Sequence, residues 1–146
     1  MDEIKLVRSH FDAQVELQHA PALRAGFPSP AADYMKPPID FNRDMVRNPD
    51  TSFYAEVMGD SMIDAGILPG DWVLIDRSVE AADGDVIVAY VQEEFTIKYL
   101  NTQHRAEGFI ELVPANSRFK PIRVYAGDNF LVWGVVVWVM HKMKNY

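Results

Sequence analysis

The chain has 146 residues, 49% of them hydrophobic, which is enough for one folded domain with a tail and a real core. Its formal net charge of −7 disfavours direct, phosphate-driven binding to nucleic acids. It contains no cysteine, which excludes disulfide bonds, thiolate metal sites and a thiol nucleophile. We therefore expect neither a bound metal nor a cofactor.

The N-terminus, MDEIKLVRSHFDAQVEL, lacks the apolar run that is typical of a signal peptide. The most apolar stretch, Phe130–Met140, has 11 residues, too few to span a bilayer. These features predict a soluble, cytoplasmic protein that does not enter a membrane.

Residues 1–39 are predicted to form a flexible N-terminal arm. Four apolar residues between Ile4 and Val15 recur at near-helical spacing, but other apolar and acidic residues blur this stripe. We therefore expect residues 1–20 to be a weakly helical or disordered tail. Prolines exclude long helices and central strands from the rest of the arm; they lie at positions 21, 28, 30, 37 and 38.

A short helix is expected where the arm ends, because Asp40 is a suitable N-cap residue. Phe41 and Met45, four residues apart, would share one helix face. Asn48-Pro49 would then end the helix.

From Ser52 onward, short runs of β-forming residues alternate with turn signals such as Gly59-Asp60. This pattern predicts a mainly β domain over residues 40–146. The predicted strands are Phe53–Val57, Trp72–Ile75, Val86–Val91, Phe95–Leu100, Phe109–Val113, Ile122–Tyr125 and Leu131–Met140.

Histidine-dependent catalysis has little support in this sequence. No motif that would orient an imidazole flanks any of the four histidines, which are His10, His19, His104 and His141. Each is predicted to be a surface residue. The remaining candidate nucleophiles are serine, threonine and lysine.

Ser61 follows Gly59-Asp60 at the point where the first predicted strand ends. Glycine permits a tight backbone there, and a serine in such a turn can present its hydroxyl beside converging backbone N–H groups. An oxyanion hole requires that arrangement. Gly-Asp-Ser is also a common surface turn, so the motif alone leaves both interpretations open.

Lys98 lies in the alternating run FTIKYL, residues 95–100, where it shares a face with Thr96 and Leu100. The alternation fits a lysine that faces solvent. If that face is covered, desolvation favours the neutral amine, which can act as a general base toward a serine hydroxyl. The sequence separates Ser61 and Lys98 by 37 residues and leaves their contact open.

Four segments occur in order between Phe53 and Val137: GDSMIDAGILPGDWVLIDRS, DGDVIVAYVQEEFTIKYL, LVPANSRFKPIRV and WGVV. Together they resemble the self-cleaving domain shared by LexA repressors and UmuD proteins. The resemblance implies a mostly β, partly barrel-shaped domain, also found in signal peptidases, in which the lysine face is covered. It further implies that Ser61 is the nucleophile and Lys98 the general base.

The arm contains AGFPSPAADY, residues 25–34, which is similar to the cleavage region of UmuD proteins. This likeness places the scissile bond between Ala25 and Gly26. UmuD proteins often have cysteine at the first of these positions, and Ala25 is equally small. About 52 residues, rich in proline, precede the first predicted strand at Phe53, which leaves too little room for the helix-turn-helix module of LexA repressors together with a cleavage linker.

The resemblance implies a mechanism as well as partners. Lys98 would deprotonate Ser61, and the backbone N–H groups of Ser61 and Asp60 would hold the oxyanion formed at Ala25. The protein would be a homodimer whose cleavage is stimulated by RecA filaments on single-stranded DNA. Its shortened form would join a UmuC-type Y-family polymerase in translesion synthesis during the SOS response. Direct, sequence-specific DNA binding is not expected.

Two other interpretations stay open at this point. The protein could be a dimeric polymerase-binding module in which Ser61 and Lys98 are inactive, or a truncated LexA-type repressor. Self-cleavage would exclude the first, and sequence-specific duplex binding would support the second. A signal peptidase is disfavoured because the sequence has no candidate membrane anchor.

Overall fold

The computed structural model describes residues 3–7, 16–17 and 38–145 of the chain. The chain divides into two compact units, one formed by Met1–Ser9 with Asp50–Tyr146 and the other by His10–Pro49. The described strands are β1 (Ile4–Val7), β2 (Glu16–Leu17), β3 (Ile39–Asp40), β4 (Ser52–Val57), β5 (Trp72–Asp76), β6 (Val86–Val91), β7 (Glu94–Asn101), β8 (Phe109–Val113), β9 (Ile122–Tyr125) and β10 (Phe130–Met140). One α-helix, α1 (Phe41–Met45), is present in this part of the chain.

The larger unit is built on one curved, antiparallel sheet of eight strands in the order β1-β4-β5-β10-β6-β7-β8-β9. The long strand β10 pairs with β6 through its first half and with β5 through its second half. Its register shifts between Val132 and Gly134 and again between Val136 and Trp138. Such irregularities increase the local twist and bend, which lets the sheet curl into a half-barrel.

Apolar side chains fill both faces of the central strands. Val88 belongs to one buried cluster with Val73 and Ile97, whereas its neighbours Ile87 and Ala89 belong to a second cluster. A strand that is buried on both faces needs a nearly continuous apolar run, and VIVAYV supplies one for β6. In β7, the strand next to it, Thr96, Ile97 and Lys98 are all buried, so both of its faces are covered there as well.

The smaller unit contains the β2–β3 pair and α1. Asp40 caps α1 by accepting hydrogen bonds from the backbone N–H groups of Asn42 and Arg43, while Asp44 accepts one from the backbone of Asp40. This reciprocal arrangement stabilises the first turn of a short helix. A hydrogen bond from the Arg43 side chain, together with the Asp40 backbone, holds the pKa of Asp44 below its ordinary value.

Most elements predicted from the sequence are confirmed. All seven predicted strands are present with small differences at their ends, and Asp40 caps the predicted helix. The helix ends at Met45, earlier than expected, because the backbone of Val46 is extended. No helix in the described ranges is long and apolar enough to cross a membrane.

The expectation for the first residues was wrong where the structure describes them. Residues 4–7 were predicted to be weakly helical or disordered, yet they form β1 and pair with β4 from Ile4↔Val57 to Val7↔Tyr54. Most of the arm predicted over residues 1–39 lies outside the described residues, so its flexibility stays a prediction.

Gly134 provides a test of how tightly the sheet is packed. A Cβ added at Gly134 would lie 2.5 Å from Cγ2 of Ile75, a fully buried side chain. Gly134→Ala is therefore expected to lower the free energy of unfolding by about 1–3 kcal/mol, the usual cost of overpacking a core. Urea denaturation measures this change. Gly59→Ala is the matched control, because its added Cβ meets nothing closer than 3.4 Å. Equal denaturation midpoints for the two variants would contradict this account.

Candidate active site

Ser61 lies just after β4, in the turn that leads to a short 3-10 helix at Ile63–Ala65. Its side chain is buried, and the adjacent Met62 anchors the turn in the core. The loop after β8 holds the turn in place, because the Ala115 N–H donates to the Ser61 carbonyl over 2.8 Å. The serine hydroxyl is therefore presented from a rigid backbone and not from a mobile surface turn.

Lys98 is in the middle of β7, opposite Ile87 of β6. The side chain is only 3% exposed, so of the two orientations that the alternating pattern left open, the structure has the one in which the lysine face is covered. The two residues before it, Thr96 and Ile97, are buried as well. A buried amine needs polar partners close at hand, because burying it without them is strongly unfavourable.

The fold brings the two predicted residues together. Nζ of Lys98 lies 3.0 Å from Oγ of Ser61, within hydrogen-bond distance, although 37 residues separate them in the chain. Nζ also donates to the Thr96 hydroxyl over 2.6 Å. A serine hydroxyl beside a buried amine is the geometry that a nucleophile and its general base require.

The structure adds Glu3 to this site. Its carboxylate oxygens lie 2.8 and 2.9 Å from Nζ of Lys98, and Oε2 also accepts hydrogen bonds from the hydroxyls of Ser61 and Thr96. The backbone N–H of Ile97 donates to the same oxygen. Glu3 therefore contacts both residues predicted to be reactive.

Sequence reasoning missed Glu3 because its partners Ser61 and Lys98 are 58 and 95 positions away. The available signal was the alternation of Ile4 and Leu6, which fits a short strand. The same region also has apolar residues at helical spacing. A run of four residues is too short to distinguish the period of 2 of a strand from the period of 3.6 of a helix.

The peptide between Asp60 and Ser61 is held in one orientation. The side-chain amide of Asn116 donates to the Asp60 carbonyl over 2.9 Å, and Asn116 is itself buried. Because a trans peptide points its N–H opposite to its carbonyl, this contact turns the Ser61 N–H away from Asn116. In the described part of the chain, no backbone carbonyl accepts a hydrogen bond from the N–H groups of Asp60 and Ser61.

Neither described histidine contacts Ser61. His104 lies between the carboxylates of Glu107 and Glu111, and His141 contacts the buried carboxylate of Asp71. His10 and His19 are outside the described residues. In the ranges that the structure describes, no three histidine, aspartate or glutamate side chains are grouped in a way that could hold a metal ion.

Ala25 and Gly26, the predicted cleavage site, also lie outside the described residues. Their position relative to Ser61 is therefore not described. The scissile bond remains a prediction from the sequence.

Comparison with known proteins gives the family context of this site. The family model described as Peptidase S24-like matches residues 19–137. Protein MucA of Salmonella typhimurium is 39% identical over 116 residues, which cover 78% of this chain and 76% of that protein. Protein SamA of Salmonella typhimurium (strain LT2) is 34% identical over 121 residues, which cover 83% of this chain and 81% of that protein.

A LexA repressor is similar over a smaller share of its own length. The repressor of Acetivibrio thermocellus is 36% identical over 129 residues, which are 88% of this chain but 58% of the repressor. The similarity thus extends across most of the chain, including the turn of Ser61 and the strand of Lys98.

Proposed function

This chain belongs to the Peptidase S24-like family, and from that premise we propose that it is a serine peptidase that cleaves its own arm between Ala25 and Gly26. The observation that carries the proposal is the contact of 3.0 Å between Nζ of Lys98 and Oγ of Ser61, both buried. The family is one of serine peptidases, and this pair supplies a nucleophile and a base without histidine or cysteine.

In the proposed reaction, neutral Lys98 accepts the proton of the Ser61 hydroxyl while Oγ bonds to the carbonyl carbon of Ala25. The tetrahedral intermediate collapses when Lys98 returns that proton to the nitrogen of Gly26 and the peptide bond breaks. Water then attacks the acyl-enzyme, giving one proton to Lys98, which passes it to the departing Oγ of Ser61. Lysine and serine are regenerated, and the net change is hydrolysis of one peptide bond.

Backbone N–H groups would stabilise the negative charge that develops on the Ala25 carbonyl oxygen. The candidates are the N–H groups of Ser61 and of its neighbour Asp60. Two observations support these donors. No described backbone carbonyl accepts a hydrogen bond from either N–H group, and Asn116 holds the peptide that joins Asp60 to Ser61 in one orientation. Donors that are held in place before the reaction stabilise an oxyanion more than mobile ones do.

Chain length permits the arm to reach the site. Fully extended, residues 26 to 53 would measure roughly 90 Å at about 3.3 Å per residue, and β3 and α1 shorten that reach because they fold residues within it. The scissile bond could therefore enter the site of its own chain or that of a second copy. An extended segment with the small residues Ala25 and Gly26 would suit strand addition beside Ser61.

We further propose the cellular role that the family resemblance implies. The protein is a cytoplasmic homodimer that is cleaved when RecA filaments form on single-stranded DNA. The 121-residue product is an accessory subunit of a UmuC-type Y-family polymerase in translesion synthesis. Support comes from the likeness to MucA and SamA over most of their lengths, and from the net charge of −7, which favours reaching DNA through partners.

The first prediction concerns the two reactive residues. Purified protein is expected to convert slowly to a 121-residue form, faster with RecA filaments, and Ser61→Ala or Lys98→Ala should abolish the conversion. Gel electrophoresis and mass spectrometry of the fragments measure it. Lys144→Ala, at an exposed lysine, is the control and should cleave normally. A wild-type chain that stays intact under all conditions would favour the non-catalytic polymerase-binding module.

The second prediction concerns pH. Because a general base must be unprotonated to accept the proton of Ser61, the cleavage rate should rise and not fall as the pH is raised. Time courses of the gel assay in a series of buffers measure this profile. A rate that falls with rising pH would contradict Lys98 as the base.

The third prediction concerns Asn116 as a positioning residue. Asn116→Ala should lower the cleavage rate about tenfold at every pH, less than the loss of a direct oxyanion donor, because the Ser61 N–H is no longer held in place. Asn116→Asp has nearly the same shape but cannot donate to the Asp60 carbonyl, so it should be equally slow. Rates are divided by the folded fraction from circular dichroism. If both corrected rates equal that of the wild type, Asn116 has only a structural role.

A further inference from the structure

We propose that residues 3–7, here called the N-terminal plug, are a peptide ligand of the chain's own active site and must leave it before the arm can be cleaved. The inference rests on the proposed function and concerns the regulation of the same site. It assigns to Glu3 the role of a carboxylate that blocks both Ser61 and Lys98.

The backbone of the plug occupies the place that a substrate strand would need. The Met58 N–H donates to the Glu3 carbonyl over 2.6 Å, and the Glu3 N–H donates to the Phe95 carbonyl over 3.2 Å. Glu3 thus bridges the end of β4 and the start of β7, directly beside the buried dyad. An extended peptide that adds to the sheet next to Ser61 would require these same backbone groups. The plug and the scissile segment therefore exclude each other.

Apolar packing holds the plug in place. Ile4 is buried in the same cluster as Ala55, Val57 and Met62, and Leu6 packs against that cluster. Antiparallel pairing of the backbone with β4 continues along the whole of β1. The backbone pairs, the apolar side chains and the carboxylate of Glu3 therefore hold the plug together, and loss of the carboxylate should let the plug leave more often.

Hydrogen-bond directions show why the occupied site is inactive. A carboxylate accepts hydrogen bonds but donates none, so the Ser61 hydroxyl directs its proton to Oε2 of Glu3. Lys98 in turn donates to Oγ of Ser61, whereas a general base would have to accept the proton of that hydroxyl. While Glu3 accepts hydrogen bonds from both Ser61 and Lys98, neither group is available for the proton transfer that cleavage requires.

Other charged side chains lie near the pair formed by Glu3 and Lys98. The cleft beside the pair, about 160 Å³ in volume, is also lined by Glu94 at the start of β7 and by Lys120 in the loop before β9. Asp60, next to Ser61, has a partly exposed carboxylate that faces Arg118. Among the residues that the structure describes, Glu3 is the charged group in direct contact with the amine, so the block is assigned to this residue.

Cleavage after Ala25 would separate the plug from the rest of the chain. The plug lies within residues 1–25, so the reaction removes the covalent link between the active site and its own inhibitor. Once the plug has left, the edge of β4 loses its pairing partner and becomes available to another strand. An activator need only favour departure of the plug, without supplying any catalytic group.

The test uses the full-length chain with Glu3→Ala and Glu3→Gln. Both variants should cleave the arm at least about tenfold faster at neutral pH, because an ion-paired hydrogen-bond partner of the dyad is lost. Glu80→Gln is the matched control, since Glu80 is an exposed carboxylate that lies outside the plug. It should behave as the wild type.

A second measurement separates this inference from the proposed function. A fluorophosphonate that modifies reactive serines should label the Glu3 variants faster than the wild type, with Ser61→Ala as the unlabelled control. Rates are corrected for the folded fraction of each variant. Faster labelling without arm cleavage would support the plug and contradict the proposed function. Labelling and cleavage of both Glu3 variants at wild-type rates, or no labelling of either, would overturn the plug.

Discussion

The burial of one lysine amine is the constraint on which this site depends. Lys98 is almost completely removed from water, and an amine can be kept there only if acceptors surround it. The fold supplies the hydroxyls of Ser61 and Thr96 and the carboxylate of Glu3. These acceptors come from three separate parts of the chain. The acceptors that make burial of the amine possible are therefore the same groups that form the candidate active site.

The curved sheet makes this convergence possible. The bends in β10 let the sheet curl, so that the end of β4 and the start of β7 come close enough for Glu3 to bridge them. The loop after β8 braces the turn of Ser61 through Ala115 and Asn116. Each reactive group is thereby attached to rigid backbone. A rigid attachment matters because a proton transfer requires the two heavy atoms to stay within hydrogen-bond distance.

Much of the fold could be predicted from the sequence, because turn residues separate its strands so regularly. The cap of α1 was equally local, since Asp40 bonds to residues two and three positions ahead. Strand β1 was missed, because four residues carry too little periodicity to separate a strand from a helix. Its pairing with β4 joins residues about fifty positions apart, and no local pattern reports such a contact.

The sequence by itself determined the mainly β class, and it marked Ser61 and Lys98 as candidates through their motifs. Those properties follow from neighbouring residues and from the likeness of whole segments to a known family. The tertiary structure alone decided that the Lys98 face is covered, that its amine meets Ser61, and that Glu3 sits upon both. Burial and contact depend on how distant strands pack. The alternation of residue types along a strand is the same whether its second face is exposed to water or packed against another part of the fold.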